Sequence, residues 1–324
     1  MSAERARTAA VIDVGSNSVL LLTVEVDVQG SVRTRDAALA TTRLGRGLHD
    51  GGALDPAARA ETRAAVLDFA ARARAAGATD VWGLATAAAR RARDGAAFVG
   101  ELAAASGVPI AIVSGEEEAR LAYAAVAAAL PATSALLVVD VGGGTTELTL
   151  GRGEAIVAAG SVPLGGLGLT ETYLAGDPPS AVEVARATAA VDAALAASGV
   201  VDAARAAGAA VAASGGTATA LAALDLGLVR WDPRRVHGHG LSAAALAALR
   251  RRLETTPAAV RATWPALDPG RAGILPAGAL VLARVLAAVG ADAVSVSEHG
   301  VRHAYLRRRL ADAGVAADFG RRSA

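Results

Sequence analysis

The chain has 324 residues, enough for two domains of ordinary size, and 53% of them are hydrophobic. Its formal net charge is +1, so an anion must be met by a local site rather than by the whole surface. It has no cysteine and no lysine (all 32 basic residues are arginine), which excludes disulfides, thiol catalysis, a Walker-type phosphate loop, a lysine Schiff base and a kinase-type Lys–Glu pair. No long apolar run is free of interruptions, and the N-terminal residues lead almost at once into a strand rather than a signal peptide. The expectation is a soluble cytoplasmic protein with no membrane segment and no nucleic-acid partner.

Val11 to Asp13 and Val19 to Val26 read as two β-rich runs around a tight turn at Gly15-Ser16-Asn17. Asp55 and Pro56 open a helix that Gly77 ends. Val81–Leu84 and Ile110–Val113 read as short buried strands, and Glu116–Leu130 as a helix stopped by Pro131. The pattern then restarts: Ala135–Val141 is a strand, Gly142-Gly143-Gly144 a turn and Glu147–Leu150 a second strand. The segments "VIDVGSNSVLLL" (11–22) and "VVDVGGGTTELTL" (138–150) share the order strand, Asp-Val-Gly, small-residue turn, strand. Such a repeat at domain length implies a duplicated α/β fold, with domains 1–130 and 131–324 and a last helix able to pack back on the first. Helices are expected at Ser180–Ser198, Thr217–Leu226, Ser242–Leu253 and Pro276–Val289, and a strand at Ala293–Val296. Residues 227–240 read as loop.

In each repeat the aspartate, Asp13 or Asp140, sits at a strand end, where such sheets open a ligand crevice. The following residues, Gly15 to Ser18 and Gly142 to Thr146, let the backbone approach a ligand and aim amide groups at it. Phosphate oxygens suit those amides. A carboxylate beside a phosphate repels it unless a divalent cation stands between, so Asp13, Asp140 and Glu147 imply Mg²⁺ or Mn²⁺. A third glycine turn, Ser214-Gly215-Gly216-Thr217, opens a helix whose N-terminus suits an anion. Glu116, Glu117 and Glu118 in "SGEEEARL" (114–121) are more acids than a helix start needs, and one of them can serve as the base for a water. Arg90 in "ATAAARRARDG" follows a strand ending at the same edge and can clamp phosphate, although spacing does not choose among Arg90, Arg91 and Arg93. His237 and His239 flank Gly238 without a third metal ligand, so they read as loop histidines at the surface.

Taken together, "VIDVGSNSV", "ATAAARRA", "SGEEEARL", "VVDVGGGTTEL", "SVPLGGLGLTE", "ASGGT", "GRAGILPAGALVL" and "SEHGVRHAYL" resemble the exopolyphosphatase / guanosine pentaphosphate phosphohydrolase (Ppx/GppA) family of the actin-like ATPase superfamily, over nearly the whole chain. The resemblance implies two ribonuclease-H-like domains with a cleft between them. It also implies Mg²⁺-dependent release of terminal phosphate from inorganic polyphosphate, with guanosine pentaphosphate as the alternative substrate. In the family's motif the acid before Ala-Arg is catalytic, which is Glu118 here with Glu117 beside it, and the family arginine falls on Arg90. Asp140 and Glu147 match the acids that organise metal and water, and Ser16, Asn17, Gly143, Gly144 and Thr145 match phosphate-binding positions. The chain departs from the pattern at Ala87, where the family has serine, at Arg91, where an acid is common, and at Leu20, where relatives often carry a polar or basic residue. Those departures keep open a weakly catalytic sensor of polyphosphate or an alarmone. The chain resembles the short two-domain form, and its alanine-rich helices suit a homodimer, which is the expectation.

Overall fold

The computed structural model describes residues 6–48 and 51–319. The chain divides into two compact units, residues 1–114 with 301–324, and residues 115–300. The division thus falls ahead of the one expected at 130/131, because the helix after Ser114 packs on the strands that follow it. The C-terminal helix belongs to the first unit.

Unit 1 contains β1 (Arg7–Val14), β2 (Ser18–Val26), β3 (Val32–Thr41), α1 (Pro56–Ala75), β4 (Asp80–Ala85), α2 (Ala87–Arg91), α3 (Gly95–Ser106) and β5 (Ile110–Ile112). Its sheet has the order β3-β2-β1-β4-β5, antiparallel across β1–β3 and parallel at β4 and β5. Alternation along β1 sets Ala10, Ile12 and Val14 into a core with Phe69, Phe98 and Leu102 from α1 and α3. Asp55 caps α1 by accepting from the Ala58 amide at 2.8 Å, and Pro56 occupies the first turn.

Unit 2 contains α4 (Gly115–Ala129), β6 (Leu136–Val141), β7 (Thr146–Arg152), β8 (Ala155–Val162), α5 (Gly166–Tyr173), α6 (Ala181–Ser198), α7 (Val200–Ala206), β9 (Ala210–Ser214), α8 (Gly215–Asp225), α9 (Pro233–Val236), β10 (Gly240–Ser242), α10 (Ala243–Thr255), α11 (Ala258–Arg261), α12 (Leu275–Val289) and β11 (Ala293–Val296). The sheet order is β10-β11-β9-β6-β7-β8. Without β10 this is the order of unit 1, strand for strand, so the repeat seen in sequence is a repeat of topology, and each unit has the ribonuclease-H-like arrangement. α12 is apolar nearly all round and fills the core beside α8 and α10.

The last helix, α13 (Val301–Asp312), packs on β1 and β4 of unit 1. Among the described residues no single helix is long and apolar enough to cross a membrane. α6 and α7 together pass by length and composition but are bent by 72°, and α6 sets Ala187, Val191 and Leu195 into the unit 2 core.

Candidate active site

The two aspartate turns are built alike. In unit 1 the Gly15 amide donates to the Ser18 carbonyl at 3.0 Å, and in unit 2 the Gly142 amide donates to the Thr145 carbonyl at 2.9 Å. Each turn is braced from behind by the segment following the third strand. The amides of Thr42 and Arg43 donate to Asn17 O, and that of Gly45 donates to Ser16 O. In unit 2 the amide of Gly166 donates to Gly142 O, and those of Leu167 and Gly168 donate to Gly143 O. A Cβ on Gly165 would stand 2.5 Å from the Gly143 carbonyl carbon, so only glycine permits this approach. Among the described residues the amides of Gly143, Gly144 and Thr145 donate to no protein acceptor. Successive free amides of this kind form an anion-binding concavity.

Strand register makes unit 2 the richer edge. Asp140 lies opposite Glu147 on β7 and Ser214 on β9, and Glu147 lies opposite Ser161 on β8. Residues directly opposite share a face, so Ser161, Glu147, Asp140 and Ser214 form one polar row across four strands. Ser161 Oγ donates to Glu147 at 2.8 Å and Ser214 Oγ donates to Asp140 at 3.0 Å. Desolvation pushes the Asp140 carboxyl above its ordinary range, opposed by the Ser214 hydroxyl and by the Arg271 guanidinium. Arg271 also lies over Gly216 at the start of α8, in space that any side chain at 216 would need. Gly215, at φ +80°, brings α8 against Asp140, where a Cβ would stand 2.3 Å from the carboxylate. The matching row of unit 1 reads Leu39, Leu20, Asp13, Leu84. Leu20 therefore occupies in unit 1 the place of Glu147 in unit 2, and Asp13 has leucines on both sides.

Glu118 is 9% exposed in the first turn of α4, whereas Glu116 is spent on an exposed pair with Arg120 at 2.8 Å. Glu117 is half-buried between them. The next carbonyl, of Ala119, accepts from Thr149 Oγ1 at 3.2 Å. Thr149 is two residues beyond Glu147 on β7, so α4 covers the face of the sheet that carries Glu147.

The hydroxyls of Thr146 and Thr217 already donate, to Leu164 O at 2.7 Å and to Val141 O at 3.1 Å. They brace the turns and leave phosphate contact to the amides. In unit 1, Asn17 is 6% exposed, with its side-chain nitrogen 3.0 Å from Ser18 Oγ and its Oδ1 buried without a protein partner among the described residues. Arg90 on α2 donates to Val113 O at 2.8 Å, at the end of β5. It thus stands at the sheet edge that carries the turn of residues 15–18. Ala87, at the start of the same helix, is buried.

Sequence reading missed Arg271, Ser161 and the Gly165 brace. The segments "GRAGILPAGALVL" and "SVPLGGLGLTE" carried all three, but their placement follows only from register and close approach.

Residues 27–312 match the profile of the Ppx/GppA phosphatase family. The chain belongs to the Ppx/GppA phosphatase family. Exopolyphosphatase 2 of Mycobacterium tuberculosis is 33% identical over 305 residues, covering 90% of this chain and 95% of that one. The crystal structure of an exopolyphosphatase-like protein, 29% identical, has a TM-score of 0.84 and covers 95% of this chain and 100% of that one. The Aquifex aeolicus Ppx/GppA family member, 27% identical, has a TM-score of 0.77 and covers 95% and 99%.

Proposed function

We propose that the chain is an exopolyphosphatase that hydrolyses terminal phosphate from inorganic polyphosphate with Mg²⁺, or Mn²⁺, as cofactor. The observation that carries this reading is the unit 2 edge: the free amides of Gly143, Gly144 and Thr145 adjoin the acid pair Asp140–Glu147, in a member of a phosphatase family. The 33% identical relative that bears the name exopolyphosphatase supports the choice of substrate.

The donor chemistry fits the metal. Asp140 and Glu147 offer hard oxygen ligands on adjacent strands, and within unit 2 no third acidic residue joins them to make a three-ligand set. Mg²⁺ is commonly held so, by one or two carboxylates, with water and substrate phosphates completing its shell. When bound, it would neutralise phosphate charge and polarise the attacked phosphorus.

The chain's own residues do the rest. Amides 143–145 and the first turn of α8 cradle phosphate oxygens. In unit 1 the turn of residues 15–18 is built in the same way, Asp13 offers a hard oxygen ligand for a metal at that edge, and the orphaned Asn17 Oδ1 offers an acceptor to a bound water. Glu118, with Glu117 second, accepts the proton of the attacking water. Arg271 offsets charge on the phosphoryl oxygens at the unit 2 edge, and Arg90 offers the same charge at the unit 1 edge.

Phosphate release should be measured from tripolyphosphate, long polyphosphate, guanosine pentaphosphate and ATP, with and without Mg²⁺. Release from polyphosphate that needs the metal and is lost in Glu118→Ala is the expected result. Undiminished release by Glu118→Ala would remove that residue from the mechanism. Preference for guanosine pentaphosphate would reassign the substrate, and tight binding without release under any divalent metal would make the chain a sensor.

A homodimer and a cytoplasmic location belong to the same proposal. β8 supports the first: it is a sheet edge with no charge or proline from Ala155 to Val162, and Val157 is 58% exposed. Light scattering of the purified chain reads the oligomeric state directly.

A further inference from the structure

The segment between α8 and β10 carries Arg230, Trp231, Arg234 and Arg235, all exposed. None of the three arginines makes an ion pair or a side-chain hydrogen bond among the described residues. The nearby acids are engaged elsewhere. Asp225 meets His239 at 2.7 Å, and Asp232 accepts from the Arg234 amide at 2.9 Å. Residues 230–235 thus carry three arginines against one acid, Asp232.

The segment is also tied to the Asp140 edge. The Gly238 amide donates to Val296 O at 2.8 Å, at the C-terminal end of β11, and β11 runs parallel to β9 and so to β6. His237 is not a free surface histidine. Its Nδ1 accepts from the Glu298 amide at 3.2 Å, its Nε2 lies 3.3 Å from Ala129 O, and its ring stacks on His299 at 5.0 Å. One residue further, a Cβ at Gly300 would stand 4.0 Å from Asp140 Oδ2. A short run of contacts thus joins Asp140 to α9, and β10 lies three strands from β6, roughly 14 Å across the sheet.

We propose that Arg230, Arg234 and Arg235 form a second anion subsite, which takes inner phosphates of a long polyphosphate chain whose terminal phosphate lies at the Asp140 edge. This rests on the exopolyphosphatase reading. Polyphosphate carries charge at every unit and no base, so it needs guanidinium forks along its path and nothing else. On this proposal tripolyphosphate, held at Asp140 through its terminal unit, offers few further phosphates to the arginines. A long chain reaches both. The subsite makes affinity grow with chain length without adding any group to the reaction itself.

The test compares the unaltered protein with a variant carrying Arg230→Gln, Arg234→Gln and Arg235→Gln. These exposed changes leave the core intact. The expected result is a KM for long polyphosphate raised about tenfold, with its kcat and all tripolyphosphate kinetics unchanged. Equal chain-length dependence in the two proteins overturns the subsite. Trp231→Ala should change nothing; if it weakens binding as much as the arginine changes, the surface serves a base-bearing polyanion such as single-stranded RNA, and the inference fails. If the unaltered protein releases no phosphate from any polyphosphate, the proposed function fails instead. Metal-free equilibrium binding of the long chain then decides the subsite: weaker binding by the variant upholds it, and equal binding overturns it.

Discussion

Ser161 sits one strand away from Glu147 and two from Asp140, yet it fixes how Glu147 presents its carboxylate. Its hydroxyl, on the exposed edge strand, donates to the buried Glu147 at 2.8 Å. Removing it takes one hydrogen bond from the carboxylate and loosens its orientation. Outer partners of this kind typically change metal affinity by about 10- to 100-fold. Ser161→Ala should therefore raise the Mg²⁺ concentration for half-maximal phosphate release by about that factor, with the maximal rate less affected. An unchanged Mg²⁺ titration would mean that Glu147 is oriented by something else. Ser161 also shows where sequence reading stops. Asp13, Asp140 and Glu147 were legible because acids beside glycine turns recur at domain spacing. Ser161 is one serine in "AIVAAGSV", and its role exists only once β8 pairs with β7 in this register. Arg271 was hidden for a related reason: about 130 residues of sequence separate it from the acid it faces.

At the scale of elements, the expected strands and helices that were found share strong end signals or continuous apolar runs. α1 has Asp55 and Pro56, and α6 has Ser180 with Glu183 and ends at Gly199 in the left-handed region. β3 and β8 were not foreseen, because edge strands are half-exposed and their sequences carry charge or small residues in place of an apolar run. α6 offers a pH test. The Glu183 carboxylate accepts from the backbone amides of Ser180 and Gly176 and from the Ser180 hydroxyl, which lowers its pKa from 4.5 to about 2. A carboxyl depressed on folding contributes stability that is fully present above its unfolded value of 4.5 and fades as the pH falls through about 2. Glu183→Gln should therefore lower Tm at neutral pH, and the gap to the unaltered protein should narrow from about pH 4.5 downward and close near pH 2. A constant gap would show that the lost contribution is not ionic. The α5 brace gives a second test. Gly165→Ala forces a methyl group against the Gly143 carbonyl, which should cost about 1–3 kcal/mol in denaturant titration and displace the amides that meet phosphate. A raised KM with it is the expected kinetic companion.

For the whole molecule, the repeat of topology was readable and the chain's return was not. The resemblance between residues 11–22 and 138–150 carried the duplication, but contacts, not sequence, assign α4 to unit 2 and α13 to unit 1. The return matters for stability. Alternation along β1 gives unit 1 a second apolar face, with Ala9 and Val11, and Trp82 is the register partner of Val11 on β4. α13 meets this sheet with Tyr305, Leu306 and Leu310, all buried, while Arg309 lies over the Trp82 ring at 5.3 Å and the Tyr305 hydroxyl donates to Gly83 O at 3.2 Å. Each such side chain contributes about 1.5–3 kcal/mol on burial, so the helix as a whole contributes a large part of a marginal stability. A chain ending at Gly300 should thus lose amide-exchange protection in β1 and β4. β6 and β7 should keep theirs, since no residue of α13 enters the unit 2 core. Leu306→Ala is the milder version, which should cost about 2–5 kcal/mol and open the same strands first. Equal loss of protection in β6 and β7 would show that the two units unfold as one and that α13 stabilises more than the sheet it lies on.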